Sequence, residues 1–129
     1  MRLLIDTHIL IWALEGSAQL SPKAKELLLD PEHEHWVSAA SVWEIAIKAS
    51  IRKLTLSRRL ADLEKGILAA GFRVLDISIR HAIAVSEIDL LHLHNDPFDR
   101  MLLAQCEVET LRLVSADRAL ARIPAVIPV

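Results

Sequence analysis

Glycine is scarce, with three in 129 residues. That excludes flexible linkers, a glycine-rich phosphate loop and the GxGxxG dinucleotide fingerprint. Cysteine is scarcer still. The lone Cys106 has no internal disulfide partner and reads as a small core residue. No stretch reaches the roughly 18 apolar residues of a membrane span, so no membrane partner is expected. The opening apolar run, Leu3 to Ile5, meets Asp6 at once, unlike a signal peptide. A cytoplasmic protein is the expectation. An excess of positive charge is also missing: 15 Lys and Arg stand against 17 Asp and Glu, a net charge of −2. No broad basic field draws in nucleic acid, so such a substrate needs local Arg and Lys or a bound metal. What is abundant is apolar, with 53% hydrophobic residues and a mean hydropathy of +0.34. One domain over 1–129 can bury a core of that kind and still present an apolar surface to a partner.

Short apolar runs alternate with helical patterns. Leu3-Leu4-Ile5 reads as a buried strand. Thr7 caps a helix to about Glu15, and Gly16-Ser17 breaks it. Ser21-Pro22 opens a helix with Ala24, Leu27 and Leu28 as its stripe, closed by Asp30-Pro31. His35 to Ser38 is a second strand. Ser41 to Ile51 is a helix apolar nearly all round and therefore expected to be buried. Ser57 caps another, with the stripe Leu60, Leu63 and Ile67, and Gly71 ends it. Arg73 to Ile77 is a strand and Ser78 to about Glu87 a helix. Leu111 to Ser115 is a strand, Asp117 to Arg122 a short helix, and Ala125 to Ile127 a last strand. Trp12, Trp36 and Trp43 read as core. The order predicts a three-layer α/β/α sandwich around a mostly parallel sheet of four to five strands.

The densest chemistry lies in His94-Asn95-Asp96-Pro97-Phe98-Asp99-Arg100. Asp96 suits an N-cap, Pro97 the first helical position, and Asp99 the first turn. Asp99 shares a helical face with Leu102, Leu103 and Cys106. If that stripe faces the core, Asp99 points inward and needs a partner, for which a metal ion is one candidate. Ligands of open α/β sheets bind beyond the carboxyl ends of the strands. Asp6 ends the first strand, Asp117 follows the fourth, and Glu44 lies in the first turn after the second. Glu44 also fits a capping box with Ser41 and an i,i+4 pair with Lys48, and Asp117 also fits a cap. If the strands are neighbours, four carboxylates converge at one edge. They would repel unless divalent cations neutralise them. Magnesium or manganese suits such all-oxygen sites, and two such ions about 4 Å apart can activate water against a phosphodiester. His92 and His94 are a weak zinc signal and read as loop or supporting groups. Arg52, Lys53, Arg58 and Arg59 form a basic cluster, either a solvated face or a phosphate contact.

Four strings in order resemble the PIN domain: Leu4-Ile5-Asp6-Thr7-His8, Ser41-Val42-Trp43-Glu44-Ile45, His94 through Gln105, and Leu113-Val114-Ser115-Ala116-Asp117. The likeness is greatest to VapC-type toxins of bacterial toxin–antitoxin pairs. The resemblance implies a magnesium-dependent ribonuclease that cuts RNA, often tRNA or ribosomal RNA, leaving a 5′-phosphate and a 3′-hydroxyl. It also implies a cognate antitoxin and often a homodimer. Asp6 and Asp99 match the core magnesium ligands, Glu44 and Asp117 the other two acids, and Thr7 a hydroxyl residue near the metal. Asp96 matches a subgroup feature beside the site. The implied antitoxin would lay an amphipathic helix into an apolar groove, with the helices around Trp12 and Ile47 as candidates.

Two other classes share some of these features. A receiver-type phosphoacceptor domain wants an acidic pair after the first strand and a lysine near the last. Here Thr7-His8 follows Asp6, and no lysine lies beyond Lys65. A non-catalytic RNA- or protein-binding module of the same fold has no need of all four acids. A dehalogenase-type phosphatase wants Asp-x-Asp, which Asp6-Thr7-His8 lacks.

Overall fold

A computed structural model describes residues 1–88 and 96–129. Among the described residues, five strands form one all-parallel sheet: β1 (Arg2–Ile5), β2 (Glu34–Ser38), β3 (Arg73–Leu75), β4 (Arg112–Ser115) and β5 (Val126–Pro128). Their order is β3-β2-β1-β4-β5. β1 is the central strand, and its Leu3, Leu4 and Ile5 are fully buried. Alternation sends Leu3 and Ile5 into one core layer with Ile9, Leu10, Ile45, Leu63 and Ile67. Leu4 goes to the opposite layer with Leu102, Leu103, Cys106, Leu113 and Leu120. Both faces are therefore covered, which explains why the strands read as continuous apolar runs.

The helices are α1 (Thr7–Glu15), α2 (Pro22–Leu29), α3 (Ala39–Ser50), α4 (Leu63–Ala69), α5 (Ile79–Ala84) and α6 (Pro97–Glu109). The expected sandwich is present, with five strands, all parallel. α2 starts as expected, with Ser21 as cap and Pro22 behind it. Gly16 ends α1 in the left-handed region at φ 62°, which a side chain resists.

Three caps differ from the sequence reading. α1 is capped by Asp6, whose carboxylate accepts from the Thr7 amide, and not by Thr7. α3 begins at Ala39 with Ser38 as cap, so Ser41 and Glu44 lie inside the helix and form no capping box. Ser57 caps nothing; its amide and hydroxyl donate to the Glu15 carboxylate. A 3-10 turn, Leu60–Asp62, precedes α4 there. α3 is also not buried all round, since Trp43, Ile47 and Ile51 are exposed. Trp43 is 58% exposed and is no core residue; it meets Phe98 edge to face at 5.2 Å. Trp36 is half-buried, with Arg2 and Arg73 each under 6 Å from its ring. The last helix is only a 3-10 turn, Arg118–Leu120.

Candidate functional site

Asp6 stands where the carboxyl end of β1 turns into α1. The neighbours of β1 are β2 on one side and β4 on the other, so the chain's order reverses between β1 and β4. In open parallel sheets that reversal opens a crevice beyond the strand ends, the usual ligand position. Residues following β1 and β4 line it: Asp6, His8, Trp12, Ala116 and Asp117 surround a cavity of about 250 Å³.

Hydroxyls hold the acids in register. The Asp6 amide donates to Val114 O at 3.0 Å, which fixes the turn onto β4. The Ser115 hydroxyl donates to Asp6 Oδ2 and accepts from the Asp117 amide at 3.1 Å. Ser115 thus couples the acid after β1 to the acid after β4. On the other side, Thr7 Oγ1 donates to Ser41 Oγ at 2.9 Å, which ties α1 to α3 one turn ahead of Glu44. The sequence reading put Thr7 near the site but gave Ser41 a capping role and Ser115 only the end of a strand. A buried serine ending an apolar strand two residues before an acid was the available signal.

Asp6 is 5% exposed and Glu44 7%. Burial pushes the Asp6 carboxyl above its ordinary range, and nearby Glu44 adds to the rise. The Ser115 and Thr7 hydrogen bonds and the charge of His8 oppose the shift without cancelling it. The groups bonded to Asp6 are a hydroxyl and an amide, neither of them a cation. Glu44 Oε2 is paired with Lys48 Nζ at 2.6 Å, the i,i+4 pair foreseen from spacing. Asp117 is exposed, and its Oδ1 accepts from the Ala119 amide at 2.9 Å. Asp96 is the cap of α6, its Oδ1 accepting from the Phe98 and Asp99 amides at 2.8 and 3.1 Å. Asp99 is half-buried in the first turn, on the same helix as buried Leu102, Leu103 and Cys106.

The structure therefore brings Asp6 beside Glu44 and beside Asp117. Among the described residues, no three His, Cys, Asp or Glu side chains are gathered closely enough to hold a metal ion. The donor chemistry still suits a hard divalent cation: carboxylate oxygens only, one of them buried against a second acid. His92 and His94 fall in 89–95, outside the described residues. Of the basic cluster, Arg58 is half-buried and donates to Leu14 O at 3.3 Å, while Arg52, Lys53 and Arg59 are exposed.

An all-parallel α/β domain with acids at its topological switch point belongs to a class that binds ligands at the carboxyl edge of the sheet. A family model, the PIN domain, matches residues 3–126. The chain belongs to the PIN domain family, a family of nucleases. The curated proteins hold no significant match. Among solved structures it is similar to a toxin–antitoxin complex from Klebsiella pneumoniae, at 22% identity and TM-score 0.65, over 97% of this chain and 95% of that one. It is similar to VapBC2 from Rickettsia felis bound to a promoter DNA fragment, at 18% identity and TM-score 0.67, over 100% and 98%. It is also similar to DNA-bound VapBC from Salmonella typhimurium, at 19% identity and TM-score 0.69, over 100% and 97%. At these identities the likeness is one of fold.

Proposed function

We propose that the chain is a divalent-cation-dependent endoribonuclease and the toxin half of a toxin–antitoxin pair. The observation that carries this reading is Asp6: a buried carboxylate at the switch point, next to Glu44 and bridged to Asp117 by Ser115, in a chain matching the PIN domain over residues 3–126. Asp6, Glu44, Asp99 and Asp117 would hold magnesium or manganese. A bound cation would supply an activated water and charge to steady the leaving oxygen. The chain's own part is to aim the acids. Ser115 holds Asp6 Oδ2, the Thr7 amide holds Oδ1, and Asp96 opens α6 so that Asp99 sits in its first turn. Lys48 offsets the charge of Glu44, the acid beside Asp6.

The partner side of the proposal rests on apolar surface. Trp43 and Ile47 on α3 and Ile51 just past its end recur every four residues and are all exposed. An apolar cavity of about 250 Å³ opens between α1, α2 and the start of β3, lined by Leu14, Leu20, Leu28 and Phe72 among others. An antitoxin helix and a second copy of the chain are the proposed occupants of such surface. The named complexes among the similar folds support a cognate antitoxin. Incubating the chain with a mixed RNA pool, with magnesium or with EDTA, tests the activity. The expected result is magnesium-dependent cleavage that Asp6→Asn and Asp99→Asn each reduce at least 100-fold. Equal cleavage in EDTA, or full activity in either variant, overturns the assignment.

A further inference from the structure

The cavity at the switch point is larger than a cation requires. Its roughly 250 Å³ could hold several waters, each occupying about 30 Å³ in the liquid. Its lining holds two acids, Asp6 and Asp117. It also holds two rings, His8 and Trp12. These two rings lie one turn apart on α1, with centroids 5.8 Å apart and planes inclined at 42°. That tilt opens the pair like a shallow V and leaves the rings unstacked on each other. His8 is exposed, and Trp12 is half-buried, packed in part against the core beneath α1. A half-buried indole has its position set by the core yet still presents ring surface to the cavity. His8 adds two ring nitrogens that can hydrogen-bond the edge of a ring lying on Trp12. Neither residue is among the acids proposed to hold a cation.

We propose that this cavity is a nucleobase subsite, in which the base of a nucleotide flanking the cleaved phosphate stacks on Trp12 with its edge at His8. The proposal rests on the nuclease reading for where the phosphate lies. A phosphate held at Asp6 would carry its base one sugar away, and Trp12 and His8 line the same cavity as Asp6. Stacking on an aromatic ring tolerates every base, because each has a π-face. The two acids repel the backbone phosphates of a strand bound without cations, so aromatic contact supplies affinity here that a basic groove supplies elsewhere.

The test uses the intact chain and uncharged probes, so that neither cleavage nor a metal enters. Adenosine, guanosine, cytidine and uridine are titrated in EDTA, and the indole and imidazole signals are followed by NMR. The expected result is that the Trp12 and His8 ring signals shift on saturation while those of Trp36 and Trp43 stay in place. Trp12→Leu then weakens nucleoside binding about tenfold, Trp12→Phe retains most of it, and His8→Ala, at an exposed position, weakens it without changing the melting temperature. No shift at Trp12 up to the solubility of the nucleosides overturns the subsite. So does an equal shift at all three tryptophans, or full binding by Trp12→Leu. A chain that cleaves RNA in magnesium while ignoring nucleosides loses the subsite alone; one that binds nucleosides but never cleaves loses the nuclease reading alone.

Discussion

Asp6 carries opposite requirements, and the opposition is measurable. Its carboxyl is raised by burial, so its pKa in the folded chain lies above that in the unfolded chain. The protonated form is therefore favoured by folding. That contribution is full below the unfolded carboxylate range and is lost as pH rises through the folded pKa. At neutral pH the charged Asp6 works against stability. Asn at this position keeps both hydrogen bonds, its Oδ1 accepting from the Thr7 amide and its Nδ2 donating to Ser115 Oγ. Metal-free Asp6→Asn is expected to melt a few degrees above the unmodified chain at pH 7, with the gap closing toward about pH 4. In magnesium the order reverses, because only the unmodified chain gains stability by binding the ion. A metal-free variant that melts lower, with a gap unaffected by pH, contradicts the account. Ser115 supplies a second test. Its hydroxyl is the leading influence lowering the Asp6 carboxyl. Ser115→Ala should move the acidic limb of the pH–rate profile to higher pH, measured as kcat/KM against pH. An unmoved limb would mean that Asp6 does not govern the rate.

At the scale of elements, α6 shows a cap read correctly from sequence. Asp96-Pro97 predicts the start of a helix, and Asp96 accepts from two amides there. Asp96→Ala is expected to cost about 1 kcal/mol, or about 4 °C in Tm, read by thermal unfolding. Other helix starts were less legible for physical reasons. Ser38 and Ser41 are both good caps by composition, and only the length of β2 decides between them. Ser57 is drawn off by Glu15, 42 residues earlier, a tertiary contact that no local pattern contains. Trp43 looked like core because α3 is apolar, but α3 turns Ala40, Ser41, Glu44 and Ile45 inward and leaves Trp43 at the surface against Phe98. The order of strands, which sets the site, was only partly readable: alternation gives a parallel sheet, while adjacency of β1 to both β2 and β4 comes from packing. α5 adds a contact that the sequence did not announce. His81, almost fully buried, accepts from the Ser78 amide at 3.0 Å through Nδ1 and meets Glu109 Oε2 at 2.8 Å through Nε2. This ties a six-residue helix to α6. His81→Ala should release α5 locally, seen as faster amide exchange over Ile79–Ala84 while β1 and β4 stay protected. Uniform loss of protection would show instead that the pair supports the whole fold.

At the scale of the molecule, charge constrains how RNA can be held. A protein that binds by neutralising phosphates with Lys and Arg shows a steep fall of affinity with salt, about 0.7 in log slope per contact on single strands. This chain has a net charge of −2, and its proposed site is acidic. Among the described residues, the cations beside the acids are few: Lys48 is bonded to Glu44, Arg100, next to Asp99, donates to Val85 O, and Arg118, next to Asp117, is exposed. Affinity for RNA is then expected to come chiefly from bound cations and from ring stacking, and neither gives a steep monovalent-salt dependence. The expected log slope for a short single-stranded RNA is shallower than about 2, with binding at least tenfold weaker in EDTA than in calcium. Anisotropy titrations of a labelled oligoribonucleotide at several potassium chloride concentrations measure both quantities. A slope near 4 that persists in EDTA would locate binding on a basic surface such as that around Arg52 and Arg59. The acids at the switch point would then lose their claim to the substrate, even with the PIN domain fold intact.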